Sequence, residues 1–119
     1  MTVSSSFQVL VVDQLNRAVS RIRARPMFGG VGIYSGEIFF ALIADDTLYF
    51  KVDASTRPEF EARGMEPFRP FGDEGGTMQY YQVPEDVLED PETLRPWAEK
   101  ALAVARRKKG KPKSRRRGA

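Results

Sequence analysis

A chain of 119 residues, 41% of them apolar, has room for one domain and a modest single core. It contains no cysteine and no histidine, which removes disulfides, thiolate metal sites, imidazole bases and any Ser-His or Cys-His nucleophile pair. The net charge of +3 hides an asymmetry: residues 1–105 carry ten basic against sixteen acidic side chains, a net of −6, while residues 106–119 hold nine cations and no acid.

The first segment opens on Ser4-Ser5-Ser6, which offers helix N-caps. Phe7, Val11, Leu15, Ala18, Val19 and Ile22 then recur at helical spacing, predicting a helix over about residues 5–21. Val9, Leu10 and Val12 widen its apolar face, so neighbours are expected on two sides. The start has no basic flank, and its apolar stretch is interrupted by Asp13 and Gln14, so it does not read as a secretory signal. "RIRARPMF" follows as an extended stretch, because Pro26 biases Arg25 away from helical angles.

Three strands are predicted next: Val31 to Tyr34, Glu37 to Ala44, and Thr47 to Val52. Ser35-Gly36 and Asp45-Asp46 make the tight turns between them, and connections this short permit only antiparallel pairing. The middle strand, "IFFALI", is apolar on both sides. It is therefore expected to lie centrally, covered on both faces by helices or by a second subunit. In the third strand Leu48, Phe50 and Val52 share one face, Tyr49 and Lys51 the other.

A short helix is predicted from Arg57 to Ala62, capped by Thr56 with Glu59 at the reciprocal position, and ended by Gly64. "MEPFRPF" reads as an extended edge segment. "GDEGG" reads as a turn, Thr77 to Val83 as a further strand, and Pro84 to Asp90 as one helical turn. The last helix has the cleanest periodicity, with Leu94, Trp97, Ala98, Ala101, Leu102 and Ala105 on one stripe. Thr93 is its expected cap, since that places Pro96 in the first turn, where an amide is unpaired anyway. The elements sum to an α+β domain, an antiparallel meander sheet packed against N-terminal and C-terminal helices, over residues 1–107. Residues 108–119 form a disordered basic tail on composition.

"RPMFGGVGIYSGEIFFALI" carries glycines at 29, 30, 32 and 36. A dinucleotide or P-loop reading needs a helix N-terminus after the glycines, or Gly-Lys-Ser/Thr. Here a strand follows, so the glycines serve bends and close packing. Asp45-Asp46, Asp73-Glu74 and Glu85-Asp86 are adjacent carboxylates at turns or helix starts, where capping explains them. Tyr80-Tyr81 points one ring inward and one outward, and Trp97 anchors the last helix to the sheet. The basic run has no such structural explanation. Arg106, Arg107, Lys108, Lys109, Lys111, Lys113, Arg115, Arg116 and Arg117 are candidate nucleic-acid contacts, and nine duplex contacts would give a salt slope of about −8.

"MFGGVGIY", "FFALIADDTLYFKVD" and "MQYYQVPEDVLEDPETLRPWAEKALAVAR" closely resemble the N-terminal domain of the TfoX/Sxy family of bacterial competence regulators. The resemblance covers the first helix to about Arg107. It implies a small α+β domain without known catalytic residues, with Met27, Phe28, Gly29 and Gly30 carried over as a structural signature. The best-known members help switch on DNA-uptake genes alongside the cyclic-AMP receptor protein and carry a second, helical domain. In this sequence an Arg/Lys-rich stretch stands at that position.

The expectation is thus a non-enzymatic, cytoplasmic regulatory or adaptor domain without cofactor, metal or membrane association. Its partners would be proteins, a transcription factor among them, a second copy of the chain, and nucleic acid drawn by the tail. A nucleic-acid-binding protein acting through that tail, and a small enzyme built on carboxylates or tyrosines, remain the alternatives.

Overall fold

The computed structural model describes residues 4–27, 30–69 and 79–110. Its elements are α1 (Ser5–Ala18), β1 (Ile22–Met27), β2 (Gly30–Ser35), β3 (Ile38–Ala44), β4 (Thr47–Lys51), α2 (Arg57–Ala62), β5 (Tyr80–Gln82), α3 (Glu85–Glu89) and α4 (Pro91–Gly110). The five strands form one sheet in the order β1-β2-β3-β4-β5, and every neighbouring pair is antiparallel. This is the α+β meander that the spacing predicts.

Ser4 caps α1, its Oγ accepting from the Phe7 amide at 3.2 Å. The helix stops at Ala18, three residues before the predicted end. Val19 is already extended, and Arg21 adopts a left-handed φ of 63°. The exposed C-terminal carbonyls have a partner from elsewhere in the chain: Arg95 Nε donates to Ala18 O at 3.1 Å. A cation at a helix C-terminus also meets the negative end of the dipole. Val11, Leu15 and Ala18 are buried, but Val9 and Leu10 are 67% and 43% exposed, so the apolar face is narrower than expected.

The stretch that reads only as extended is a paired strand. β1 lies at the sheet edge, aligned with β2 from Ile22↔Ser35 to Met27↔Gly30, and Pro26 is tolerated there because an edge strand need not donate outward. The β2–β3 turn is Gly36-Glu37 rather than Ser35-Gly36, because Ser35 pairs with Ile38. Gly36 takes a φ of 60°, as the first central residue of a type II′ turn does. Asp45 and Asp46 both have positive φ, 52° and 51°, which matches the strand twist as a type I′ turn.

β3 occupies the centre of the sheet, as its double-sided apolarity predicts, but among the described residues helices cover one face only. A register shift between β2 and β3 leaves Phe40 without a cross-strand partner. This bulge lets adjacent residues Phe40 and Ala41 both enter the main core. Ile38 and Ile43 point the same way, whereas Phe39, Leu42 and Ala44 join a smaller cluster on the opposite face. The main core packs Phe40, Ile43 and Phe50 against Leu15, Leu94 and Trp97. Each fully buried large side chain there contributes about 1.5–3 kcal/mol. On the opposite face Phe68 and Tyr80 are buried with Leu42 and Ala44, and Phe39 and Tyr49 pack beside them.

The segment around Pro67 lies at the other edge, as expected: Pro67 bridges Tyr81, Phe68 N donates to Tyr80 O at 2.8 Å, and Gln82 N donates to Glu66 O at 2.9 Å. The predicted turn "GDEGG" and the first residues of the strand from Thr77 lie outside the described residues.

Two helix starts differ from expectation. Thr56 precedes α2 but makes no side-chain cap; its Oγ1 instead accepts from Asp53 N at 3.1 Å. Glu59 does not close a capping box and accepts from Lys100 Nζ at 2.9 Å. The long helix begins at Pro91, with Asp90 as its cap rather than Thr93: Asp90 Oδ1 accepts from Glu92 N at 3.2 Å, Oδ2 from Thr93 Oγ1 at 2.8 Å, and Asp90 O from Leu94 N at 2.8 Å. Pro96 is therefore interior. Its lost bond, roughly 3 kcal/mol in a helix interior, is offset by a good cap worth about 0.5–2 kcal/mol, a proline at N1, and the full burial of Leu94.

Candidate functional site

Of the signature residues, Met27 and Gly30 are described, and Phe28 and Gly29 lie outside the described residues. Met27 and Gly30 close the β1–β2 ladder. A Cβ on Gly30 would sit 2.4 Å from the Ile43 carbonyl oxygen, and one on Gly32 would meet the Met27 methyl at 2.8 Å and Phe39 at 3.2 Å. These glycines let β2 pack closely against β3 and receive the Met27 side chain.

Among the described residues the carboxylate pairs do not converge. Asp45-Asp46 forms the β3–β4 turn, where Asp46 Oδ1 accepts from Ser4 N at 2.6 Å. Glu85 and Asp86 open α3, and Asp86 pairs with Arg63 at 2.7 Å. Asp73-Glu74 lies outside the described residues. Tyr81 faces the main core and donates to Glu61 Oε2 at 2.9 Å; burial first, and then that hydrogen bond, raise its pKa. Tyr80 does take the other face, but it is not an exposed contact surface: it is 3% exposed, and burial pushes its hydroxyl up to about 12. Trp97 anchors α4 as expected, edge-on to Phe60 with centroids 4.9 Å apart. Among the described residues no group of three or more acidic side chains could hold a metal ion, and no helix is long and apolar enough to cross a membrane.

The basic run begins on α4. Arg106 and Arg107 lie in the helix, which continues through Lys108 and Lys109 to Gly110. Lys111, Lys113, Arg115, Arg116 and Arg117 lie outside the described residues. Arg107 is not a free cation, because it pairs with Asp53 in the loop before α2. Hydrogen bonds from Ser55 and then from Arg107 hold the Asp53 carboxyl well below the usual carboxylate range. Nothing local in the sequence marks this pair, which joins residues 54 positions apart.

A second basic feature lies on the body. Arg21, Arg23 and Arg25 alternate along β1 and the residue before it, all exposed. The Arg23 and Arg25 guanidiniums lie over the Tyr34 ring, 5.7 and 5.9 Å from its centroid. Tyr34 in turn stacks on Phe39 at 5.1 Å. Arg21 and Arg23 line a cleft of about 290 Å³ with Ile22, Gly36 and Glu37, where Arg23 Nε donates to Gly36 O at 3.1 Å. Arginines at every second position are visible in the sequence. They carry meaning only once the segment is known to be a strand, with Arg23 and Arg25 on one face and Arg21 just ahead of it.

An open antiparallel sheet backed by helices on one face defines a small α+β domain. Residues 13–105 match the TfoX N-terminal domain family, and the chain belongs to that family. It is 30% identical over 91 residues to "DNA transformation protein TfoX1" of Aliivibrio fischeri, an alignment covering 76% of this chain and 44% of that protein. The chain thus spans less than half the length of the curated relative it matches.

Proposed function

We propose that this domain is a non-enzymatic regulatory or adaptor module that works through protein partners, a transcription factor being the foremost class, with nucleic acid drawn to its basic run. Membership in the TfoX N-terminal family over residues 13–105 carries the reading, and the relative named for DNA transformation gives it direction. The chemistry of the chain agrees. With neither histidine nor cysteine, proton transfer at neutral pH would need a carboxylate, tyrosine or lysine tuned toward neutrality. The resolved shifts run the other way, Asp53 down and the tyrosines up. A cytoplasmic setting suits a regulator of this kind.

Affinity capture from extract with the full chain, with and without nuclease, tests the proposal. Retention of a transcription regulator after nuclease treatment supports it; a captured set that vanishes with nuclease replaces it with the second reading. That reading, a nucleic-acid-binding protein acting through its basic run, rests on nine cations in fourteen residues. With Arg107 held by Asp53, eight remaining duplex contacts would give a salt slope of about −7.

A further inference from the structure

We propose that the outer face of β1 and β2 is a binding site for single-stranded nucleic acid, with Arg21, Arg23 and Arg25 on the phosphates and bases stacked against the Arg–Tyr34–Phe39 group. The site belongs to the folded body and stands apart from both the basic run and the regulatory reading above.

The first observation is electrostatic. Residues 1–105 are net acidic, and Arg17, Arg57, Arg63, Arg69, Lys100 and Arg107 each pair with a carboxylate. Among the described residues no carboxylate lies within ion-pair distance of Arg21, Arg23 or Arg25. Three exposed guanidiniums gathered on one edge of an acidic body leave a local charge that a polyanion complements. Glu37 lines the same cleft, so the charge is concentrated along β1 rather than around the turn.

The second observation is geometric. Alternate residues of a strand stand about 6.8 Å apart, the scale of one backbone repeat in an extended single strand. The Arg23 and Arg25 guanidiniums both lie over the Tyr34 ring, and each guanidinium carries N–H donors suited to phosphate. Arg23 uses Nε on Gly36 O and retains both Nη groups. Bases splayed from a single strand stack on aromatic rings and on guanidinium planes alike, and the half-exposed Tyr34 and Phe39, themselves stacked, extend that surface. A stripe one strand wide suits a single strand. A duplex is wider, and would bring its phosphates against the acidic remainder of the body.

The test is fluorescence anisotropy of a short labelled oligothymidylate against the full chain, across a salt series, with duplex DNA and polyglutamate as competitors. Arg21→Gln/Arg23→Gln/Arg25→Gln in the full chain should weaken binding about tenfold and flatten the salt slope by about 2, from roughly 0.7 per single-strand phosphate contact. Tyr34→Ala should weaken oligothymidylate binding, because it removes a stacking surface and the ring beneath Arg23 and Arg25. Melting curves confirm that each variant is folded. If the triple variant is not, Arg25→Gln alone, which removes no hydrogen bond among the described residues, should flatten the slope by about 0.7. Affinity and slope equal to those of the parent would overturn the site and leave the basic run as the binding element. Polyglutamate displacing the oligonucleotide as well as unlabelled oligothymidylate does would overturn it in favour of an acidic polypeptide.

Discussion

The two faces of the sheet share the same strands and differ in what holds them. On the helix side, Phe40, Ile43 and Phe50 are wholly buried beneath α1 and α4. On the other side the rings meet one another in pairs, Tyr34 on Phe39, Phe39 on Tyr80 and Tyr49 on Phe68, with centroids 5.0–5.8 Å apart. There the cations Arg23, Arg25 and Lys51 lie over rings. One face is a core whose contents are fixed by packing. The other is a partly covered aromatic layer edged with charge.

The sharpest way to break this contrast is substitution on each face in turn. Phe50→Ala should cost about 3–5 kcal/mol, the range for a fully enclosed ring, read as a lower urea midpoint with unchanged slope. Gly30→Ala should cost about 1–3 kcal/mol by overpacking, because the new methyl meets the Ile43 carbonyl and the backbone must move; a parental midpoint would refute the close approach of β2 and β3. Phe39→Ala, on the half-exposed layer, should cost only about 1–2 kcal/mol, scaled down from the enclosed value. A loss as large as that of Phe50→Ala would mean that the two faces are equally core-like.

Alkaline pH acts on both faces through their buried tyrosines. The Tyr80 hydroxyl is raised to about 12, whereas an unfolded tyrosine ionises near 10. The unfolded chain therefore loses its proton first, so the stabilisation is complete below about pH 10 and declines as pH rises toward 12. Tyr80→Phe should lessen that decline without abolishing it, since Tyr49 and Tyr81 are also raised. The smallest effect belongs to Arg25→Gln, within about 0.5 kcal/mol of the parent, as for an exposed side chain away from caps and cores.

How much of this is legible in the sequence depends on whether the signal is periodic. The stripe from Leu94 to Ala105 gives the α4 contact face directly, and alternation gives both faces of β4. The double-sided apolarity of "IFFALI" places β3 centrally. It cannot reveal that the alternation breaks at Phe40, because that change lies in one residue's backbone pairing. The start of α4 is hidden for a different reason. A proline rule weighs one lost bond, while Asp90, Pro91 and the buried Leu94 act together across the first turns. The glycine run reads as architecture from its context alone. The arginine stripe is passed over because "RIRARPMF" shows no apolar alternation strong enough to mark a strand, and an unpaired segment has no faces. The Arg107–Asp53 pair has no local signature at all.

The bulge at Phe40 fixes more than which rings turn inward. Sliding β3 along β2 by one position would not simply exchange the two sides, because the strand changes phase partway: ahead of the bulge even numbers point to the helices, after it odd numbers do. A slipped hairpin would strand half of its apolar groups on each side whichever direction it moved. The extra residue therefore acts as an index mark, admitting a single alignment of the two central strands and holding Tyr34 opposite Phe39.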